Sequence, residues 1–182
     1  MTGALSPRHI VRMHVRTFAL QKPYRGYDWS AILWCYGAPA LGAIALVATG
    51  CRLTSGQEGA FMNAAAIFAG LLLNLLALLF TVDLRVEPTA HLERMKAQLE
   101  KSIYANVSYA IFISIAIVLL LLVSSMVRGG LSVFIAHHFV NAVHDGLVIG
   151  ISALAYALCL HLGMTLLLIL KGIHALTERE HR

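Results

Sequence analysis

The sequence predicts an all-α, polytopic membrane protein with four transmembrane helices and both termini in the cytoplasm. Four blocks, residues 29–50, 59–82, 104–127 and 147–170, contain no Asp, Glu, Lys or Arg and run 22 to 24 residues each. A helix of about 20 apolar residues crosses the hydrocarbon of a bilayer. The connecting segments are short, so no soluble domain is left over. Twelve of the 14 Lys and Arg fall before residue 29, between the second and third blocks, or after residue 170. The other two loops hold one each, Arg52 and Arg128. Basic residues are retained on the cytoplasmic side, which sets the orientation.

This asymmetry also accounts for the net charge of +5, and no direct nucleic-acid partner is expected. The basic stretch before the first block lacks an apolar core with a cleavage site, so no removable leader is expected. Cys35, Cys51 and Cys159 form neither a disulfide framework nor a C-x-x-C pair. A lone four-helix bundle has little interior, so self-association is expected, taken here as a tetramer. The organisation that follows is a basic arm (1–28), a transmembrane domain (29–170) and a cytoplasmic tail (171–182).

In the arm, Arg8, Arg12 and Arg16 would share one helical face. Val11, Met13 and Val15 also alternate with Arg12, His14 and Arg16, which is strand periodicity. An interfacial helix drawn to anionic lipid is the preferred reading of residues 8–18, and a strand added to a neighbouring subunit the other. Trp29, Trp34 and Tyr36 then mark the inner membrane boundary. In span one, Pro39 cannot donate to the carbonyl of Cys35 and should kink the helix. Ala31, Ala38, Gly42, Ala45 and Thr49 make a stripe of small residues that lets another helix approach. Residues 51–58 form a short external turn.

In span two, Asn63, Gly70, Asn74 and Thr81 lie within roughly 40° of one another at 100° per residue. An intramembrane Asn facing lipid is costly, so this stripe faces protein or water. It either lines a conduction path or glues helices together through amide hydrogen bonds. Residues 88–103 form a charged cytoplasmic helix, with Leu92, Met95, Leu99 and Ile103 on one side. No breaker separates it from span three, so one continuous helix is expected. Within span three, Asn106, Ala110, Ser114 and Ile117 share a face suited to helix packing.

Arg128-Gly129-Gly130 ends span three. A short external helix over 131–144 follows, and Asp145-Gly146 separates it from span four. On a helix His137, Asn141, His144 and Asp145 share one face, with His138 beside it. Imidazole and carboxylate suit zinc, but the spacing lacks the H-x-x-x-H pair with glutamate of a metalloprotease. His137, His138, His144 and Asp145 are read as the outer mouth, with no metal assigned. His161, deep in span four, is read as a packing histidine. A haem bundle would need axial pairs inside the spans, and spans one to three have no histidine.

No nucleophile-and-base arrangement or phosphate-cradling glycine loop is visible, so the chain is not read as an enzyme and no cofactor is expected. The absence of acidic residues from every span argues against proton- or sodium-coupled transport. In layout and order the chain resembles the small four-span membrane subunits of prokaryotic antiphage systems. The resemblance is carried by LEKSIYANVSYAIFISIAIVLLLL (99–122) and MTLLLILKGIHALTERE (164–180), with no motif that transfers a residue's role. It implies a multi-pass protein of the bacterial inner membrane, a homo-oligomeric effector that perturbs ion permeability when a cytosolic partner signals. On that reading Asn63, Gly70, Asn74 and Thr81 line the pore, and Arg94, Lys96 and Lys101 receive the partner. The alternative is a non-conducting anchor or regulatory subunit that recruits the same partner.

Overall fold

The computed structural model describes residues 7–19, 28–81, 90–130 and 139–180, with side chains over 7–18, 28–79, 100–126 and 146–174. All regular structure among the described residues is helical. Arm helix α1 is Pro7–Ala19. Among the described residues four helices are long and apolar enough to cross a membrane, with candidate spans Trp29–Ala48, Ser55–Leu79, Glu100–Met126 and Gly146–His174. The first of these is α2. The other three lie within α3 (Ser55–Thr81), α4 (Ala90–Gly130) and α5 (Phe139–Glu180).

The arm is a helix because its polarity has helical period. Arg8, Arg12 and Arg16 are exposed, while His14, Thr17 and Phe18 are buried. The two sets lie on roughly opposite sides at 100° per residue. The β-like alternation of residues 11–16 thus loses to an inward face read three and four residues apart.

Helix α2 does not run as a simple α-helix. A π-helical turn at Leu33–Gly37 precedes Pro39, where the missing N–H removes a rung from the ladder. Its end is a Schellman motif. Cys51 N–H donates to the Leu46 carbonyl, and Gly50 N–H to that of Val47, each at 3.0 Å. Gly50 sits at φ +83°, which glycine adopts without steric cost.

Helix α3 begins at Ser55, four residues before the apolar block. Thr54 and Gln57 form a capping box: Thr54 N–H donates to Gln57 Oε1 at 2.9 Å, and Gln57 N–H to Thr54 Oγ1 at 3.3 Å. The charged segment and span three form one helix, Ala90–Gly130. Asp145-Gly146 makes no break, because residues 139–144 belong to the same helix as span four. A glycine inside a helix costs only about 1 kcal/mol against alanine, which the flanking apolar turns outweigh. Residues 131–138 of the expected external helix lie outside the described residues.

The principal packing runs α3 on α4, α4 on α5 and α5 on α2, with α1 laid against α4. Helix α4 is central. Val107, Ala110, Ser114 and Ile117 on it are fully buried, and Asn106 beside them is buried, so this face serves packing. Inside a bilayer the lipid is as apolar as leucine, so van der Waals fit and small residues bring helices together. Gly42 illustrates it: a Cβ there would stand 2.9 Å from Leu160 Cδ1, the tip of a flexible side chain, so only a small residue fits where α2 meets α5. At one end of the bundle Ser124 Oγ donates to Glu58 Oε1 at 2.6 Å, and Leu53 N–H donates to Ser152 Oγ at 3.3 Å. These contacts tie α3 to α4, and the turn before α3 to α5.

Candidate functional site

Two polar arrangements stand out, and they occupy different places. The first is the stripe on α3. The row that packs on the bundle is Glu58, Ala65 and Leu72, all buried. Asn63, Gly70 and Asn74 are exposed and lie roughly 160° round the helix from that row. Thr81 continues the stripe on the helix but lies beyond the described side chains. Only 11% of the apolar stretch of α3 is buried in the chain, against 44% for α4. The amides of span two are therefore not used to glue this chain's own helices.

The second arrangement is a buried cluster built from four helices at the end where α2 begins. It starts with Pro39. In a regular helix residue 39 would donate to the Cys35 carbonyl; proline cannot. That carbonyl accepts instead from His161 Nδ1 on α5, at 2.9 Å. A carbonyl only accepts, so Nδ1 carries the proton. Nε2 of the neutral ring is then an acceptor, and Tyr109 Oη on α4 donates to it at 2.9 Å.

His14 repeats the pattern from α1. Its Nδ1 donates to Asn106 Oδ1 at 2.8 Å, and Thr17 Oγ1 donates to the His14 carbonyl at 2.7 Å. Nε2 of His14 is left as a lone-pair nitrogen, buried and without a hydrogen-bond partner. The ring is stacked on Tyr109, with centroids 3.9 Å apart and planes 11° from parallel. His161 is stacked on Tyr36 at 4.6 Å and 30°. The Tyr36 hydroxyl lies near that of Tyr109 but outside hydrogen-bonding geometry. Burial pushes the His14 pKa down to about 4, the hydrogen bond to Asn106 working against it and the proximity of His161 adding to it. The ring is therefore neutral at pH 7.

One ring nitrogen of each histidine and the Cys35 sulfur lie within 4.8 Å of one another, and all three residues are buried. Sequence reasoning placed His161 in a packing role and did not single out His14 or Cys35. The available signal was Pro39: a proline inside a span frees a carbonyl, and a lone intramembrane histidine is a natural donor to it. Trp29 and Trp34 are exposed, whereas Tyr36 is turned into this cluster.

Of the other residues singled out, Lys101 is exposed on α4. Arg94 and Lys96 stand on the same helix, beyond the described side chains. His144 and Asp145 are on α5, also beyond the described side chains. His137 and His138 lie outside the described residues.

Comparison with known proteins gives no match: no family model, curated protein or solved structure is similar to this chain.

Proposed function

We propose that the protein is a homo-oligomeric channel or pore subunit of the bacterial inner membrane. In this reading α3 faces an ion path shared between copies. One observation carries it: Asn63, Gly70 and Asn74 lie on the side of α3 turned away from the chain's own bundle. Amides in hydrocarbon need protein or water around them, and among the described residues no helix of the same chain packs over this face. Copies arranged with α3 inward supply both. The aliphatic residues between the amides then form a constriction that closes by dewetting. Both termini and the charged start of α4 would be cytoplasmic, where a signalling partner of the antiphage kind could engage them.

Asn74→Leu tests this in proteoliposomes. Ion flux should be abolished while the oligomer's mass is unchanged. Unaltered flux in the variant would remove α3 from the path.

A second reading is favoured by the unbroken course of α4. Its charged first turns continue the membrane helix without a hinge, which suits a rigid docking mast on a non-conducting anchor. Reversing the charge at Arg94, Lys96 and Lys101 should then abolish partner capture, with no conductance in the parent protein.

A further inference from the structure

The geometry points to a buried transition-metal site formed by His14, Cys35 and His161, with a cuprous ion as its occupant. The inference is independent of the proposed pore, since no residue of the α3 stripe takes part.

The donor set is the first argument. Two imidazoles and one thiol converge to within 4.8 Å from three separate helices. Each residue is more than nine-tenths buried, at 0% exposure for His14, 2% for Cys35 and 6% for His161. Sequence neighbours on one exposed helix face would come together by chance more readily than residues 14, 35 and 161 on α1, α2 and α5.

The second argument is the state of the rings. Metal-binding histidines characteristically donate their other N–H to a carbonyl, carboxylate or similar oxygen, which fixes the tautomer and the ring's orientation. Both histidines here already do so. His14 Nδ1 is directed at Asn106 Oδ1, and His161 Nδ1 at the Cys35 carbonyl. This leaves Nε2 as the lone-pair nitrogen on each ring. That of His14 is buried with no partner, a state that is costly and calls for an explanation. That of His161 holds the Tyr109 hydroxyl, which an arriving ion would displace. Tyr109 and Tyr36, stacked on the two rings, hold them in place.

The third argument selects the ion. Thiolate favours copper(I) and zinc, and imidazole accepts both. Among the described residues no carboxylate joins the ligand group, so its one source of negative charge is Cys35. Binding a cuprous ion releases the thiol proton to solvent and leaves a neutral centre. Zinc(II) with the same ligands would leave a net positive charge in a low-dielectric site, which is costly. Copper stays cuprous throughout, so no electron donor or acceptor is required.

The test uses the full chain in detergent, stripped of metal and titrated anaerobically with copper(I) in ascorbate against a cuprous chelator, with zinc(II) titrated in parallel. One copper per chain is expected, with an ultraviolet thiolate-to-copper band. Cys35→Ser and His14→Gln should each lose the band and the stoichiometric ion, while Cys159→Ser should keep both. Asn106→Ala, which frees the His14 ring from its partner, should weaken binding by about 10–100-fold. Circular dichroism and the elution profile identify any variant that misfolds. Should Cys35→Ser be such a variant, His14→Gln and Asn106→Ala decide the matter. Less than one copper per several wild-type chains would overturn the site, as would undiminished binding in folded Cys35→Ser or His14→Gln. Stoichiometric zinc without copper would overturn the charge argument and with it the assigned ion.

Discussion

Pro39 and His161 are far apart in the chain, yet each explains the other. The proline removes the helical donor for the Cys35 carbonyl, and the histidine supplies another from a separate helix. Replacing His161 with Phe leaves that carbonyl and the Tyr109 hydroxyl short of a partner. Hydrogen bonds inside membranes average about 0.6 kcal/mol and reach about 1.7, so a loss of about 0.5–1.5 kcal/mol per bond is expected. Pro39→Ala restores an N–H at position 39. In a four-protein cycle measured by SDS-induced unfolding, the Pro39→Ala change should therefore recover part of the His161→Phe loss. Strictly additive effects would mean that the carbonyl is not what couples the two residues. At this scale the sequence could be read for half of the arrangement. Proline's missing donor is a property of one residue, but the identity of its replacement depends on a contact across 126 positions. The His14 contact spans 92 positions. Neither leaves a trace in local periodicity.

For single elements, the ends of helices follow local chemistry and their faces follow packing. Thr54 and Gln57 already form a capping-box pattern in the sequence, three residues apart, and α3 starts where that pattern puts it. Gly50 likewise marks the close of α2 through its left-handed backbone. The apolar blocks alone misplace both ends, because the caps decide them: α3 starts four residues before its block, at the Thr54–Gln57 box, and α2 stops at Ala48, two residues short of the end of its block. Asp145-Gly146 misleads in the opposite sense: a turn-like pair sits inside α5 because apolar sequence on both sides continues the helix. In the arm, two periodicities coexist, and the helical one is realised because His14, Thr17 and Phe18 are then buried together where α1 packs on α4. The small-residue stripe of α2 also makes a prediction at this scale. Gly42→Ala should be tolerated, since the atom it meets is the tip of the flexible Leu160 side chain. Gly42→Leu should force α2 away from α5 and destabilise the bundle by about 1–3 kcal/mol, as overpacking does. Equal stability of the two variants in SDS titration would show that the approach of these helices is not set at Gly42.

As a whole, the molecule is unevenly covered. Helix α4 is enclosed by α1, α3 and α5, whereas α3 turns most of its surface outward. Much of that surface is leucine and alanine, which lipid can cover. The amide stripe is different, because two Asn side chains near the helix interior need polar company. The stripe's existence was legible from spacing alone. Which way it points was not, since periodicity gives relative angles round a helix and only packing gives the direction. With Ala65 and Leu72 turned inward, the stripe points out, away from the described helices of its own chain. The electrostatic need of that face is what the pore proposal answers.

Thiol labelling along α3 in native membranes examines this most directly, using single cysteines placed in a chain whose own Cys35, Cys51 and Cys159 have been replaced. If the stripe lines a path between copies, cysteines at positions 63 and 74 react with a charged, water-soluble maleimide. One at Leu71, exposed on the leucine-rich side, does not. Reaction at Leu71 equal to that at the stripe, or no reaction at either Asn position, would contradict a water-filled path along this face.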